Sequence, residues 1–112
     1  MTLNDVKIAL LTVTQNVSRY TAGKDPVFPY IVWADDGESD SLYGDNKMID
    51  QVISGTIDLF TKTVDDPLKS QIQAALNDAG ICFSLNSIQR EEKDKKFICM
   101  HYEWNFEIET AV

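Results

Sequence analysis

Apolar and polar positions along the chain fall into a few regular patterns. Val6, Ala9, Leu10, Val13, Val17 and Tyr20 recur at helical steps, which predicts an amphipathic N-terminal helix, with Ile8 and Leu11 widening its apolar stripe. Thr2 followed by Asp5 has the form of a capping box at its start. The segment Gly23 to Pro29, with Pro26 and Pro29, breaks that helix and leads into a short aromatic and β-branched strand, Tyr30 to Ala34. After Asp35 to Ser41, which reads as an acidic, glycine-containing loop, the run Met48 to Thr63 reads as one long strand. Ile53, Gly55, Ile57 and Leu59 share one face of it, and Ser54, Thr56 and Asp58 share the other. Gly55 in that pattern marks a bulge or a close backbone approach.

The second helix has clear ends. Asp66 is placed to cap it, Pro67 suits its first position, Leu68, Ile72, Ala75, Leu76 and Ala79 form its stripe, and Gly80 closes it. A terminal hairpin follows, Ile81 to Gln89 and Phe97 to Glu109, joined by the charged segment Arg90 to Lys96. In its second strand Ile98, Met100, Tyr102, Trp104, Phe106 and Ile108 alternate with Cys99, His101, Glu103, Asn105, Glu107 and Glu109. A turn centred between Lys93 and Asp94 sets Phe83 against Trp104, Leu85 against Tyr102, Ser84 against Glu103, Asn86 against His101 and Cys99 against Ile88, so that apolar meets apolar and polar meets polar. The expected fold is α+β: a mostly antiparallel sheet of about four strands with two helices packed on one face.

Composition narrows the function. At 112 residues the chain is expected to be a single domain, 1–112, able to bury a core without metals or disulfides. A net charge of −8 repels a polyanion, so no specific nucleic-acid binding is expected. No apolar run approaches the ~20 residues of a membrane span, and Met1 to Tyr20 lacks a basic start and a cleavage site, so neither a membrane location nor a signal peptide is expected. Two cysteines, Cys82 and Cys99, without CxxC spacing, read as free thiols suited to a reducing cytoplasm.

Candidate chemistry is sparse. The acidic stretch offers Asp35, Asp36, Glu38, Asp40 and Asp45, but Gly37 falls at the third position of a calcium-loop pattern, which defeats the EF-hand spacing. His101, the single histidine, lies on the polar face of the last strand near Glu103. Ser84 and Asn86 are its expected neighbours, with no nucleophile turn or oxyanion loop. No nucleotide, hydrolase or zinc-protease motif occurs, so no catalytic residue, metal ligand or cofactor is assigned and the chain is read as a non-enzyme. The aromatics Tyr30, Trp33, Tyr43, Phe60, Phe83, Tyr102, Trp104 and Phe106 cluster on the strands. Most are expected in the core, and any surplus would serve as subunit anchors.

Four strings, IVWADD at 31–36, SLYGDNK at 41–47, GTIDLFTK at 55–62 and HYEW at 101–104, resemble small tail proteins of siphophages and prophages of Gram-positive bacteria: the tail completion, or tail-to-head joining, proteins, similar in fold to tail terminators. The resemblance runs from about Tyr30 to Ile108. It implies a structural virion protein that forms a homo-oligomeric ring, hexameric in the family, at the head-proximal end of the tail. Its partners would be itself, the tail-tube protein and the head connector proteins, and its location the host cytoplasm during assembly and then the neck of the virion. On this reading the stretch Asp35, Asp36, Glu38, Asp40, Asp45 and the hairpin residues Glu91, Glu92, Lys95 and Lys96 make assembly contacts, because they are charged and expected to protrude. Two readings compete: a small-ligand or peptide-binding module with a groove between sheet and helices, and an enzyme with an unrecognised site that depends on His101.

Overall fold

The computed structural model of the chain describes residues 1–39, 41–44, 47–93 and 97–111. In chain order its elements are α1 (Leu3–Leu11), β1 (Val17–Arg19), β2 (Tyr30–Glu38), β3 (Leu42–Gly44), β4 (Lys47–Thr61), α2 (Leu68–Asp78), β5 (Cys82–Lys93) and β6 (Phe97–Ala111). The fold is α+β, with a six-stranded mixed sheet in the order β1-β2-β4-β6-β5 and β3 paired beside it on β4. β1 runs parallel to β2, and the remaining pairs are antiparallel. The sheet exceeds the expected four strands because β1 and β3 are three residues each, too short to carry a readable period.

The first helix is shorter than its apolar stripe implied. It stops at Leu11, where Thr12, Val13 and Thr14 begin a β-branched run and the Thr12 hydroxyl donates back to the Ala9 carbonyl at 2.6 Å. Val17 and Tyr20, read as helical, lie beyond it. Val17 pairs with Ile31 in the parallel ladder, and Tyr20 takes a positive φ of 70°. The amide of Asn16 donates to the carbonyls of Val27 at 2.6 Å and Pro29 at 3.1 Å, which ties the intervening loop to the start of β2. At the helix start the Asp5 carboxylate accepts the Thr2 backbone N–H at 2.8 Å.

The second helix follows its sequence signals. The Asp66 carboxylate accepts the Leu68 N–H at 2.9 Å, and Pro67 holds helical dihedrals. At the far end Gly80 (φ 73°) donates to the Asn77 carbonyl and Ile81 to the Leu76 carbonyl, the paired closure that requires a left-handed residue.

The centre of the sheet is the ladder between β4 and β6. Leu59 lies opposite Tyr102, Ile57 opposite Trp104 and Gly55 opposite Phe106, and on the other side Ile57 and Leu59 meet Trp33 and Ile31 of β2. These side chains share one face with Val6 and Leu10 of α1 and Ile72 and Leu76 of α2, all buried in one cluster. Both helices therefore cover the same side. The Trp104 indole N–H, buried there, donates to Gln73 of α2 at 3.1 Å, so its polar edge is satisfied. The alternate residues, including Thr56, Asp58, His101, Glu103 and Asn105, form the opposite, helix-free face.

Gly55 is a close approach, as its place in the pattern suggested. A Cβ there would collide with the Ala34 carbonyl and the Phe106 ring, and β2 bulges at Asp36 beside it. Because one obstacle is backbone, Gly55→Ala is expected to destabilise the chain by about 3 kcal/mol in urea unfolding, through forced shifts of β2 and Phe106. A change below about 0.5 kcal/mol would show that the two strands are not packed this tightly.

Candidate functional site

The terminal hairpin pairs in a different register from the one the hydrophobic match suggested. Phe83 lies opposite Phe106 and Leu85 opposite Trp104. After a bulge at Asn86, Ser87 meets Glu103, Ile88 meets Tyr102, Gln89 meets His101 and Glu91 meets Cys99. The first part differs by two residues, which keeps apolar opposite apolar and so left no signal in the sequence. The bulge then returns Ile88 to the face of Leu85. Cys82 and Cys99 are free thiols, Cys82 exposed and Cys99 buried.

This register creates an unusual edge. Among the described residues no strand pairs with the outer side of β5, a twelve-residue strand. Its helix-side residues outrun the helical cover. Phe83 is half-buried, Leu85 is 36% exposed and Ile88 is 53% exposed. A long edge strand with apolar side chains and free backbone groups is a pairing surface unless it is blunted. Its far part carries Arg90, Glu91 and Glu92, all exposed, with Arg90 3.8 Å from Glu92.

The predicted assembly residues are dispersed. Asp35, Asp36 and Glu38 belong to β2 rather than to a loop, because the chain stays paired to β4 through Glu38. Asp35 is engaged internally: the Arg19 guanidinium donates to it at 2.6 Å and the Tyr20 hydroxyl at 2.7 Å. Glu38 accepts from Gln51 at 3.1 Å, and Asp36 is exposed on the helix-free side of its bulge. Glu91 and Glu92 lie in β5, not in a loop. Asp40, Asp45, Lys95 and Lys96 lie outside the described residues.

A second grouping, unseen in the sequence, sits on the helix-free face. Tyr30, Phe60 and His101 occupy one row across β2, β4 and β6 and stack as rings, at 4.8 Å between Tyr30 and Phe60 and 4.3 Å between Phe60 and His101. In the next row Asp58 stands directly opposite Glu103. His101 Nε2 lies 2.7 Å from the Asp58 carboxylate, and Asn86 donates to Glu103 at 2.6 Å. Burial, and after it the negative charges of Glu103 and Asp36, push the Asp58 carboxyl above its ordinary value, against the hydrogen bond and charge of His101. Glu103 was the neighbour expected for His101. Asp58 was not, because it lies 43 residues away and only the β4–β6 pairing brings it in. Asn86 reaches Glu103 rather than His101.

No protein-family model and no curated protein matches the chain. No helix among the described residues is long and apolar enough to cross a membrane.

The Asp35 contacts generate a pH dependence of known sign. Hydrogen bonds from Arg19 and then Tyr20 hold its carboxyl below the usual value, so its stabilising contribution is complete above the unfolded pKa and is lost as pH falls through the folded one. Asp35→Asn is expected to lower the urea midpoint most near pH 7, with the gap to wild type closing below about pH 4. An equal gap at about pH 7 and about pH 3 would exclude this pairing as the source.

Proposed function

We propose that this chain is a structural subunit of a phage tail. As a ring of identical copies it caps the head-proximal end of the tail tube and joins it to the head connector, with no enzymatic role. The observation that carries the reading is the free edge of β5 with Leu85 and Ile88 exposed beside it. A ring requires a heterologous interface, in which two different patches of one subunit meet on neighbouring copies. The sheet supplies two unlike lateral edges. One is β5. The other is β1 with the connection that follows it, where Tyr20 is 62% and Val27 75% exposed.

The shape fits an assembly part. The molecule extends 58 × 24 × 22 Å, and β4 and β6 run fifteen residues each, longer than either helix, toward the two ends of the long axis. Those ends are where contacts with a tube and a connector would be made. Of the charged residues expected to make them, Glu91 and Glu92 lie in the far part of β5 and Glu38 is exposed at the end of β2, whereas Asp36 sits beside Gly55 and Asp35 is spent on Arg19 and Tyr20. Net charge −8 suits a passage through which DNA slides without adhering. A groove between sheet and helices, as a small-ligand module would need, competes poorly: Trp104, Phe106, Ile72 and Leu76 fill that seam at 1% exposure or less.

Ile88→Lys places a charge in the proposed contact at a position whose exposure makes it nearly neutral for folding. In sedimentation velocity, with tail-tube protein present, the variant is expected to need at least about tenfold higher concentration than wild type to assemble. Assembly unchanged by both Ile88→Lys and Leu85→Lys would remove β5 from the interface.

A further inference from the structure

We infer that Asp58, His101 and Glu103 form a binding site for a divalent transition-metal ion on the helix-free face of the sheet. Each offers one ligand atom, and these atoms lie within 4.8 Å of one another. An imidazole nitrogen with two carboxylate oxygens suits zinc and its neighbours better than calcium or magnesium. The spacing is close to that of bound ligands. The Asp58 oxygen and His101 Nε2 are 2.7 Å apart, and two ligands at ~2.1 Å from one ion are separated by about 3.4 Å in tetrahedral geometry. A modest opening of that hydrogen bond admits the ion. The proton held between Nε2 and Asp58 leaves to solvent, by loss from the ring or by a change of tautomer, so that the Nε2 lone pair goes to the metal and the neutral ring carries its one proton on Nδ1.

Two contacts from outside the trio prepare the ligands. The Phe60 ring, stacked at 4.3 Å, fixes the plane of the imidazole. Asn86, donating to one oxygen of Glu103 at 2.6 Å, aims that carboxylate and leaves its other oxygen available. Supporting hydrogen bonds of this kind are what orient ligands in built metal sites. Charge argues in the same direction. Asp58 directly opposite Glu103 is a like-charge cross-strand pair, which destabilises a sheet, and among the described residues neither is paired with a lysine or arginine. A dication neutralises the two carboxylates. The remaining coordination positions face solvent, because no described helix covers this side.

His101 is the only histidine, so its ring protons give an unambiguous NMR signal. On titrating the full chain with Zn2+, those signals are expected to move saturably and to finish at one equivalent. In calorimetry, Asp58→Asn and Glu103→Gln are each expected to weaken binding by at least about tenfold, while Glu109→Gln, exposed further along the same face, leaves it unchanged. His101 signals that stay unmoved up to about 1 mM Zn2+, a concentration at which even weak sites fill, would overturn the site in the wild-type chain without reliance on any variant. Equal Zn2+ affinity in Asp58→Asn and wild type would overturn it as well, by showing that scattered surface carboxylates hold the metal.

Discussion

The structure depends on the register between β4 and β6. Side chains alternate with a period of two in both strands, so one pairing directs Ile57, Leu59, Tyr102, Trp104 and Phe106 toward the helices and sends Asp58, His101 and Glu103 the other way. A slip of one residue would turn one strand over, carrying Asp58 of β4, or Glu103 of β6, under α1 and α2. An unpaired buried charge costs several kcal/mol, a large share of the net stability of a small domain, and the slipped strand would also lose its apolar contacts. Gly55 reinforces the choice, since only a residue without a side chain fits between the Ala34 carbonyl and the Phe106 ring. Both helices then have one place to go, and the opposite face is left open, with Asp58, His101 and Glu103 beside the Tyr30 and Phe60 rings.

The same constraint accounts for what remains uncovered. Two helices of nine and eleven residues span about 14 and 17 Å, while fifteen-residue strands reach about 50 Å. The helices therefore protect only the middle of the sheet. Beyond them the strands project, and the β5 edge keeps Leu85 and Ile88 in water. In a monomer such an edge is a hazard; in a subunit that adds to identical neighbours it is the joint.

Much of this was legible in the residues, for physical reasons that also mark where legibility stops. The polar and apolar phases of β4 and β6 and the ends of α2 were read correctly, because each rests on local chemistry: alternation, a capping Asp66, a closing Gly80. The end of α1 was misread because Val17 and Tyr20 fall on a helical period by coincidence, and a β-branched run at Thr12 to Thr14 is a weak stop signal. The β5–β6 register differs from the expected one by two residues before Asn86, a shift that preserves every facing relation the hydrophobic pattern reports, and by three beyond it, where the bulge changes the phase. The bulge at Asn86 has no local signature. The Asp58–His101 contact depends on the pairing of strands distant in sequence, which alternation alone does not specify.

The central claim is that the free β5 edge is one half of a ring joint, and native mass spectrometry of the full chain over a wide concentration range, alone and with tail-tube protein, tests it most directly. The account predicts a closed species of single stoichiometry, six-fold on the proposed tail-ring reading, with few open intermediates. A monomer at every concentration, with and without the tube protein, would contradict it.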